Sequence, residues 1–188
     1  MRIITGSAKG VRLKTPHGME TRPTSDRVKE SLFNILGNRV IDAMVLDLFA
    51  GTGNLGLEAL SRGAANAVFV DHSFNSISLI KDNAALTKLA DRVESYKSDV
   101  FTALNKICQA GRQFNLIFCD PPYNKGLVGK ILQVVDNAEI LMFNGILMIE
   151  HSKHEQLLSD WQQLEMIRTE KYGGTLISFF IRRNRGGL

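Results

Sequence analysis

The chain has 188 residues, of which 44% are hydrophobic and 22% charged, a balance that supports one folded domain with a true core and excludes an intrinsically disordered chain. No apolar run approaches the roughly 20 residues of a membrane helix, and Met1-Arg2-Ile3-Ile4-Thr5-Gly6 lacks a signal peptide's apolar segment, so a cytoplasmic protein with no membrane contact is expected. The net charge is +4, and its placement matters more than its size: residues 1–40 hold eight Lys/Arg against three acids, the remainder 15 against 16, so the excess marks the N-terminal fifth as a surface for a polyanion.

In chain order, residues 1–23 read as irregular or short-stranded, punctuated by Gly6, Gly10, Pro16, Gly18 and Pro23. A helix follows, capped by Thr24 or Ser25, with an apolar stripe of Val28, Leu32, Ile35 and Leu36, Gly37 at its end, and Arg27, Lys29 and Asn34 facing elsewhere. Strand-then-helix units come next: strand Met44–Phe49 and a helix through Leu60 that stops at Gly63; strand Ala67–Val70 and helix Ser73–Leu89; strand Val93–Lys97 and helix Val100–Ala110. Strand Phe114–Cys119 precedes a helix over Val128–Ala138, and strand Gly145–Ile149 precedes one near His154–Trp161. Leu164–Lys171 and Thr175–Arg182 form a hairpin about Tyr172-Gly173-Gly174. The alternation predicts an α/β fold with a mostly parallel sheet and an antiparallel C-terminal hairpin. Its single domain comprises a basic segment and helix over 1–40 and a core over 41–188. Cys108 and Cys119 read as reduced core thiols, Phe179 and Phe180 as sheet core. His151 and His154 have no partners that complete a metal set.

Gly51-Thr52-Gly53-Asn54-Leu55-Gly56 has the G-x-G-x-x-G spacing between a strand and a helix, with Asp71 twenty positions after Gly51. Glycines let the backbone turn tightly against a ligand, and a carboxylate at the tip of the second strand can accept from ribose hydroxyls, with His72 beside it. NAD and S-adenosylmethionine both carry that ribose. Asp47, inside the first strand, calls for a positive partner; the ammonium of S-adenosylmethionine is one, and a pyrophosphate is repelled. The alternative is that Asp47 is bonded to neighbouring backbone amides or to an Arg. Phe49 and Ala50 lead into the loop, and Ser98-Asp99-Val100 sits at the tip of the third strand, where Asp99 either accepts from the adenine amine or caps the next helix.

Asp120-Pro121-Pro122-Tyr123 leaves the fourth strand. A residue before proline is pushed into extended geometry, and two prolines stiffen the loop, so the Asp120 carboxylate and the Pro121 carbonyl can be aimed at one point. Two acceptors there suit a planar amine with its two donors, and Tyr123 can stack on the attached ring. A ring amine is a poor nucleophile, so positioning and charge stabilisation by Asp120 matter more than a strong base.

Asp120–Tyr123 resembles the [D/N]-P-P-[Y/F] motif of S-adenosylmethionine-dependent amino methyltransferases, and Asp47–Gly53 resembles their cofactor loop. Over nearly its full length the chain is similar to the RsmD family of bacterial small-subunit (16S) ribosomal RNA guanine-N2 methyltransferases. Residues Arg22–Asn34, Leu46–Leu57, Asp120–Tyr123 and Tyr172-Gly173-Gly174-Thr175 carry that match, with Gly174 standing where the family has a polar residue. The resemblance implies a Rossmann-like class I methyltransferase fold with seven strands, S-adenosylmethionine as cofactor, no metal, and a monomer acting on ribosomal RNA, the 30S subunit or an assembly intermediate. Lys9, Arg12, Lys14, Arg22, Thr24, Arg27 and Lys29 are the candidate RNA contacts. The motif reports the amine and not its carrier, so a DNA, other-RNA or protein amino methyltransferase, a NAD-dependent oxidoreductase and a non-catalytic RNA-binding module are the competing functions.

Overall fold

The computed structural model describes residues 1–16, 26–155, 157 and 161–183. The chain forms two compact units, Met1–Val100 and Phe101–Leu188. The first holds α1 (Asp26–Leu36), β1 (Met44–Leu48), α2 (Asn54–Ser61), β2 (Asn66–Asp71), α3 (Phe74–Leu86) and β3 (Val93–Lys97). Its strands lie in the order β3-β2-β1, all parallel, with Asp47 beside Phe69 and Asp71 beside Lys97. Val45, Leu46, Leu48, Val68, Phe69 and Val70 are fully buried. A parallel strand covered on both faces has no solvent side on which to alternate, so its sequence reads as an unbroken apolar run.

The N-terminal segment is built into this unit through its backbone. An antiparallel bridge joins Arg2 to Arg12, and Ile3, Ala8 and Leu13 turn inward. The amides of Ile4 and Thr5 donate to the buried Glu58 carboxylate at 2.8 and 3.0 Å, and those of Ser7 and Ala8 donate to the carbonyl and hydroxyl of Ser61. The approach is so close that a Cβ on Gly6 would sit 1.7 Å from the Ser61 carbonyl oxygen. Farther along, Asn83 of α3 pairs with both backbone groups of Lys14 and also donates to the Thr52 carbonyl at 3.0 Å.

Glu58 also corrects one expectation. Lys29 does not face outward: it is 1% exposed, and its ammonium meets Glu58 at 2.9 Å, Asn54 Oδ1 at 2.7 Å and the Arg2 carbonyl at 2.6 Å. Burial holds its pKa below the ordinary lysine value, against the opposing pull of Glu58. It is an internal ion pair and not a phosphate contact. Lys29, Leu32, Phe33 and Leu36 recur at helical spacing and are the buried residues of α1, so Lys29 lies within the buried stripe, which runs through Phe33 and not through the half-buried Val28 and Ile35.

The second unit holds α4 (Val100–Gln109, which spans the boundary), β4 (Phe114–Cys119), α5 (Leu127–Asn137), β5 (Leu141–Ser152), β6 (Leu164–Tyr172) and β7 (Thr175–Arg182). Strands β4 and β5 are parallel; β7 and then β6 continue antiparallel, as the hairpin signal required. Gly173, at φ +63°, makes the turn. Phe179 and Phe180 are core residues. Cys119 is buried as expected, but Cys108 is exposed, on the outer side of α4. Strand β5 runs beyond Ile149 to Ser152 because β7 pairs with it as far as Ser152↔Thr175. Of the helix expected over His154–Trp161, residues 156 and 158–160 lie outside the described residues, and His154 and Glu155 form a turn and a bend. No described helix is long and apolar enough to cross a membrane.

Candidate active site

In the first unit, the turn from β1 to α2 alternates left-handed residues: Phe49 (φ +59°), Gly51 (φ +55°) and Gly53 (φ +77°). The glycines adopt this at little cost, whereas Phe49 stores strain on the order of 1–3 kcal/mol, which the surrounding bonds must hold. They do so through Asp71. Its Oδ2 accepts the Gly51 amide at 2.9 Å and its Oδ1 the Ser73 amide at 2.8 Å, so one carboxylate fastens the glycine turn to the start of α3. The Ala50 amide donates to the Val70 carbonyl at 3.1 Å, and the Ser98 amide to the Asp71 carbonyl at 3.0 Å. His72 is exposed, with Nδ1 3.5 Å from Asp71 Oδ1, and Ser73 caps α3, its Oγ accepting the Ser76 amide.

Asp47 resolves differently from the cationic partner its strand position called for. It is 3% exposed, and its Oδ2 accepts the Gly56 amide at 2.9 Å. Gly53, which opens α2, has no side chain to cap it, so the strand carboxylate serves the third amide of the helix in its place, where the helix dipole favours an anion. The alternative of bonding to backbone amides is therefore realised, and Asp47 does not require a cationic ligand to justify its burial. Gly56 is obligatory for this packing: a Cβ there would fall 2.3 Å from Phe69 Cε1 and 3.2 Å from Asp47 Oδ2. Asn54 is buried and taken up by Lys29, Thr52 is half-buried beside the Met1 sulfur, Asp99 is exposed, and Val100 is buried at the start of α4. Carboxylates thus stand near the ends of two adjacent strands, at Asp71 and Asp99. They fit the hydroxyls and amine of S-adenosylmethionine and oppose a pyrophosphate.

The candidate RNA contacts of this unit separate into two groups. Lys9, Arg12 and Arg27 are exposed, with no acidic partner among the described residues, whereas Lys14 pairs with Asp82 at 2.8 Å. Arg22 and Thr24 lie outside the described residues.

In the second unit, Asp120 follows directly on β4; Pro121 is buried, and Asp120, Pro122 and Tyr123 are exposed. Protein crowding around the Asp120 carboxyl, and then the charge of Glu150, raise its pKa to about 7. The Tyr123 hydroxyl donates a short hydrogen bond to Glu150 Oε1 and lies 3.1 Å from Thr175 Oγ1. Desolvation and the Glu150 contact hold its proton well above the usual phenol range. Glu155 braces the loop from behind, accepting the Asn124 amide at 3.2 Å and the Ser152 amide at 3.0 Å. Glu150 is absent from the sequence candidates, and Thr175 enters there only within Tyr172-Gly173-Gly174-Thr175. The sequence signal for Glu150 is that Phe114–Cys119 and Gly145–Ile149 are each followed at once by an acid; the structure pairs Cys119 with Ile149. His151 is buried and bonded to Ser178 Oγ at 2.9 Å, in a structural role. Among the described residues no cluster of His, Cys, Asp and Glu has the makings of a metal site.

The family model described as "Conserved hypothetical protein 95" matches residues 1–181. YlbH of Bacillus subtilis (strain 168), whose name gives it provisionally as an rRNA methyltransferase, is 39% identical over 183 residues, covering 97% of this chain and all of its own. The chain belongs to this family, the RsmD family. It is similar as well to ribosomal RNA small subunit methyltransferase D of Escherichia coli (strain K12), 38% identical over 80% of this chain and 74% of that one. The solved structure of yhhF from Escherichia coli, named provisionally as a methyltransferase, superposes with a TM-score of 0.86, at 32% identity over 98% of this chain and 99% of that chain. Parallel β3-β2-β1 of the first unit, and parallel β4-β5 followed by antiparallel β7-β6 of the second, are strands of the mixed α/β sheet of the Rossmann-like methyltransferase fold. The family is one of S-adenosylmethionine-dependent methyltransferases, and this chain is a methyltransferase.

Proposed function

We propose that this RsmD-family protein methylates the exocyclic N2 amine of a guanine in 16S ribosomal RNA, acting in the cytoplasm as a monomer on the small subunit or an assembly intermediate. The observation that carries the reading is Asp120-Pro121-Pro122-Tyr123, with its crowded carboxyl at the end of β4 and its tyrosine anchored to Glu150. The relatives named for small-subunit RNA supply the class of substrate. S-adenosylmethionine, when bound, supplies an electrophilic methyl on a sulfonium. Asp71, the Gly51–Gly53 turn and Asp99 are the residues that would hold it.

Asp120 and the Pro121 carbonyl accept the two N2 hydrogens, which localises the nitrogen lone pair. On taking up the methyl that S-adenosylmethionine would give up, leaving a neutral thioether, the nitrogen would become positive, and Asp120 is placed to stabilise that charge. The proton then leaves N2 for the Asp120 carboxylate or water. A carboxyl with a pKa near 7 is matched to this acceptor role. A guanine within folded RNA must be unstacked to enter, and the Tyr123 ring, fixed by two hydrogen bonds, is a surface for it to stack on. Lys9, Arg12 and Arg27 are the cations available for phosphate.

Purified protein given labelled S-adenosylmethionine and under-methylated small subunits, or their RNA, yields N2-methylguanosine by mass spectrometry. Incorporation retained in Asp120→Ala would refute the catalytic assignment, and label delivered to DNA or a glutamine peptide in place of RNA would refute the substrate.

A further inference from the structure

The motif at Asp120 selects an amine and leaves open which base bears it. We propose that Glu150 makes that choice, its carboxylate accepting the N1–H of guanine while Asp120 and the Pro121 carbonyl hold N2; this rests on the guanine-N2 reading above and deepens it.

Register supplies the geometry. Cys119 of β4 lies opposite Ile149 of β5 in parallel pairing, so the next residue of each chain, Asp120 and Glu150, stand side by side and project to the same side of the sheet. Neighbouring strands lie about 4.8 Å apart. The ring N1–H and the exocyclic N2 amine of guanine, both on C2, present their donors in the same plane and side by side, close enough together to be taken by two such neighbouring acceptors. Glu150 is also held in place: Tyr123 donates to its Oε1, and β7 pairs with β5 at Glu150↔Ile177. Among the described residues no ion pair engages Asp120 or Glu150. The mutual repulsion shows in Asp120, which Glu150 helps to raise. A row of N–H donors laid across both relieves it.

Chemistry then separates the possible acceptors. The amine of adenine is flanked by the acceptor N1, that of cytosine by the acceptor N3, and the amide of glutamine by its own carbonyl. Each would set a lone pair against the Glu150 carboxylate. Guanine alone among the common bases has an N–H beside its amine. A site built on a hydrogen bond to substrate rejects an analogue that lacks the donor, because the acceptor, covered by the bound base, is left unpaired.

The deciding analogue is 2-aminopurine, which keeps the 2-amine and replaces N1–H with a lone pair. Synthetic RNAs carrying guanine or 2-aminopurine at the mass-mapped position are compared by kcat/KM, with wild-type protein and with Glu150→Gln. The wild type favours guanine by at least about tenfold. Glu150→Gln, whose amide can donate to the N1 lone pair, compresses that preference toward unity while its S-adenosylmethionine Kd is unchanged. A wild-type preference near unity overturns the assignment without recourse to any variant, as does an unchanged preference in a folded Glu150→Gln protein. Absence of N2-methylguanosine with wild-type protein overturns instead the underlying guanine-N2 reading.

Discussion

Removing one partner of a buried ion pair is not equivalent to removing the other, and the Lys29–Glu58 pair makes the difference measurable. Glu58 is fully buried and receives four donors: Lys29 at 2.9 Å, Arg62 at 2.8 Å, and the amides of Ile4 and Thr5 at 2.8 and 3.0 Å. In Glu58→Leu, the Lys29 ammonium keeps only neutral acceptors, the Arg2 carbonyl and Asn54 Oδ1. An uncompensated buried charge costs about 3–5 kcal/mol. At 2–4 °C per kcal/mol for a chain of this size, the melting temperature falls by about 6–20 °C. Lys29→Met leaves the carboxylate with Arg62 and both amides, so the loss is that of one charge-assisted hydrogen bond, about 1.5–3 kcal/mol, or about 3–12 °C. The double variant Lys29→Met/Glu58→Leu removes both charges and is less destabilised than the sum of the two. Thermal melts followed by circular dichroism at pH 7 give all three values. Lys29→Met as damaging as Glu58→Leu, or a double variant at the full sum, refutes the asymmetry.

Gly56→Ala forces a methyl to within 2.3 Å of the Phe69 ring, and overpacking there lowers stability by about 1–3 kcal/mol in urea melts, whereas Gly10→Ala, where nothing lies within 4 Å, suffers only from its φ of +86°. Lys9→Ala and Arg12→Ala weaken RNA binding across sequences and reduce the slope of log K against log salt by about 0.7–0.9 for each phosphate no longer neutralised, with the melting temperature unchanged. Because Asp120 must be ionised to accept from the amine, kcat/KM rises with pH through about 7. Glu150→Gln removes the neighbouring charge and moves that inflection to lower pH, leaving the part caused by crowding.

The core strands and the helices between them were legible because their apolar runs are continuous and bounded by Gly or polar turns: Phe114–Cys119 and Val93–Lys97 were read to the residue. Strand β5 was cut short at Ile149, since Glu150-His151-Ser152 break the apolar pattern; what extends it is pairing with β7, a partner about thirty residues away that no local window contains. The glycine turn and Asp71 were visible from spacing, yet the partner of Asp47 was not, because helix capping by a residue on a preceding strand leaves no mark in the helix's own sequence. Lys29 shows the same gap. Helical spacing aligns it with Leu32, Phe33 and Leu36, but a lysine reads as solvated until its buried partner Glu58, on another helix, is known.

That docking separates two properties that are usually entangled. Residues 3–8 are secured by main-chain amides and carbonyls on Glu58 and Ser61, and Lys14 by its main chain on Asn83, so the side chains of Lys9 and Arg12 bear none of the attachment. The segment behaves as a mounting rail on which cations can be exchanged without loosening it. Substitutions at these two positions are free to retune the affinity and salt tolerance of the surface they present while the scaffold beneath remains as it is.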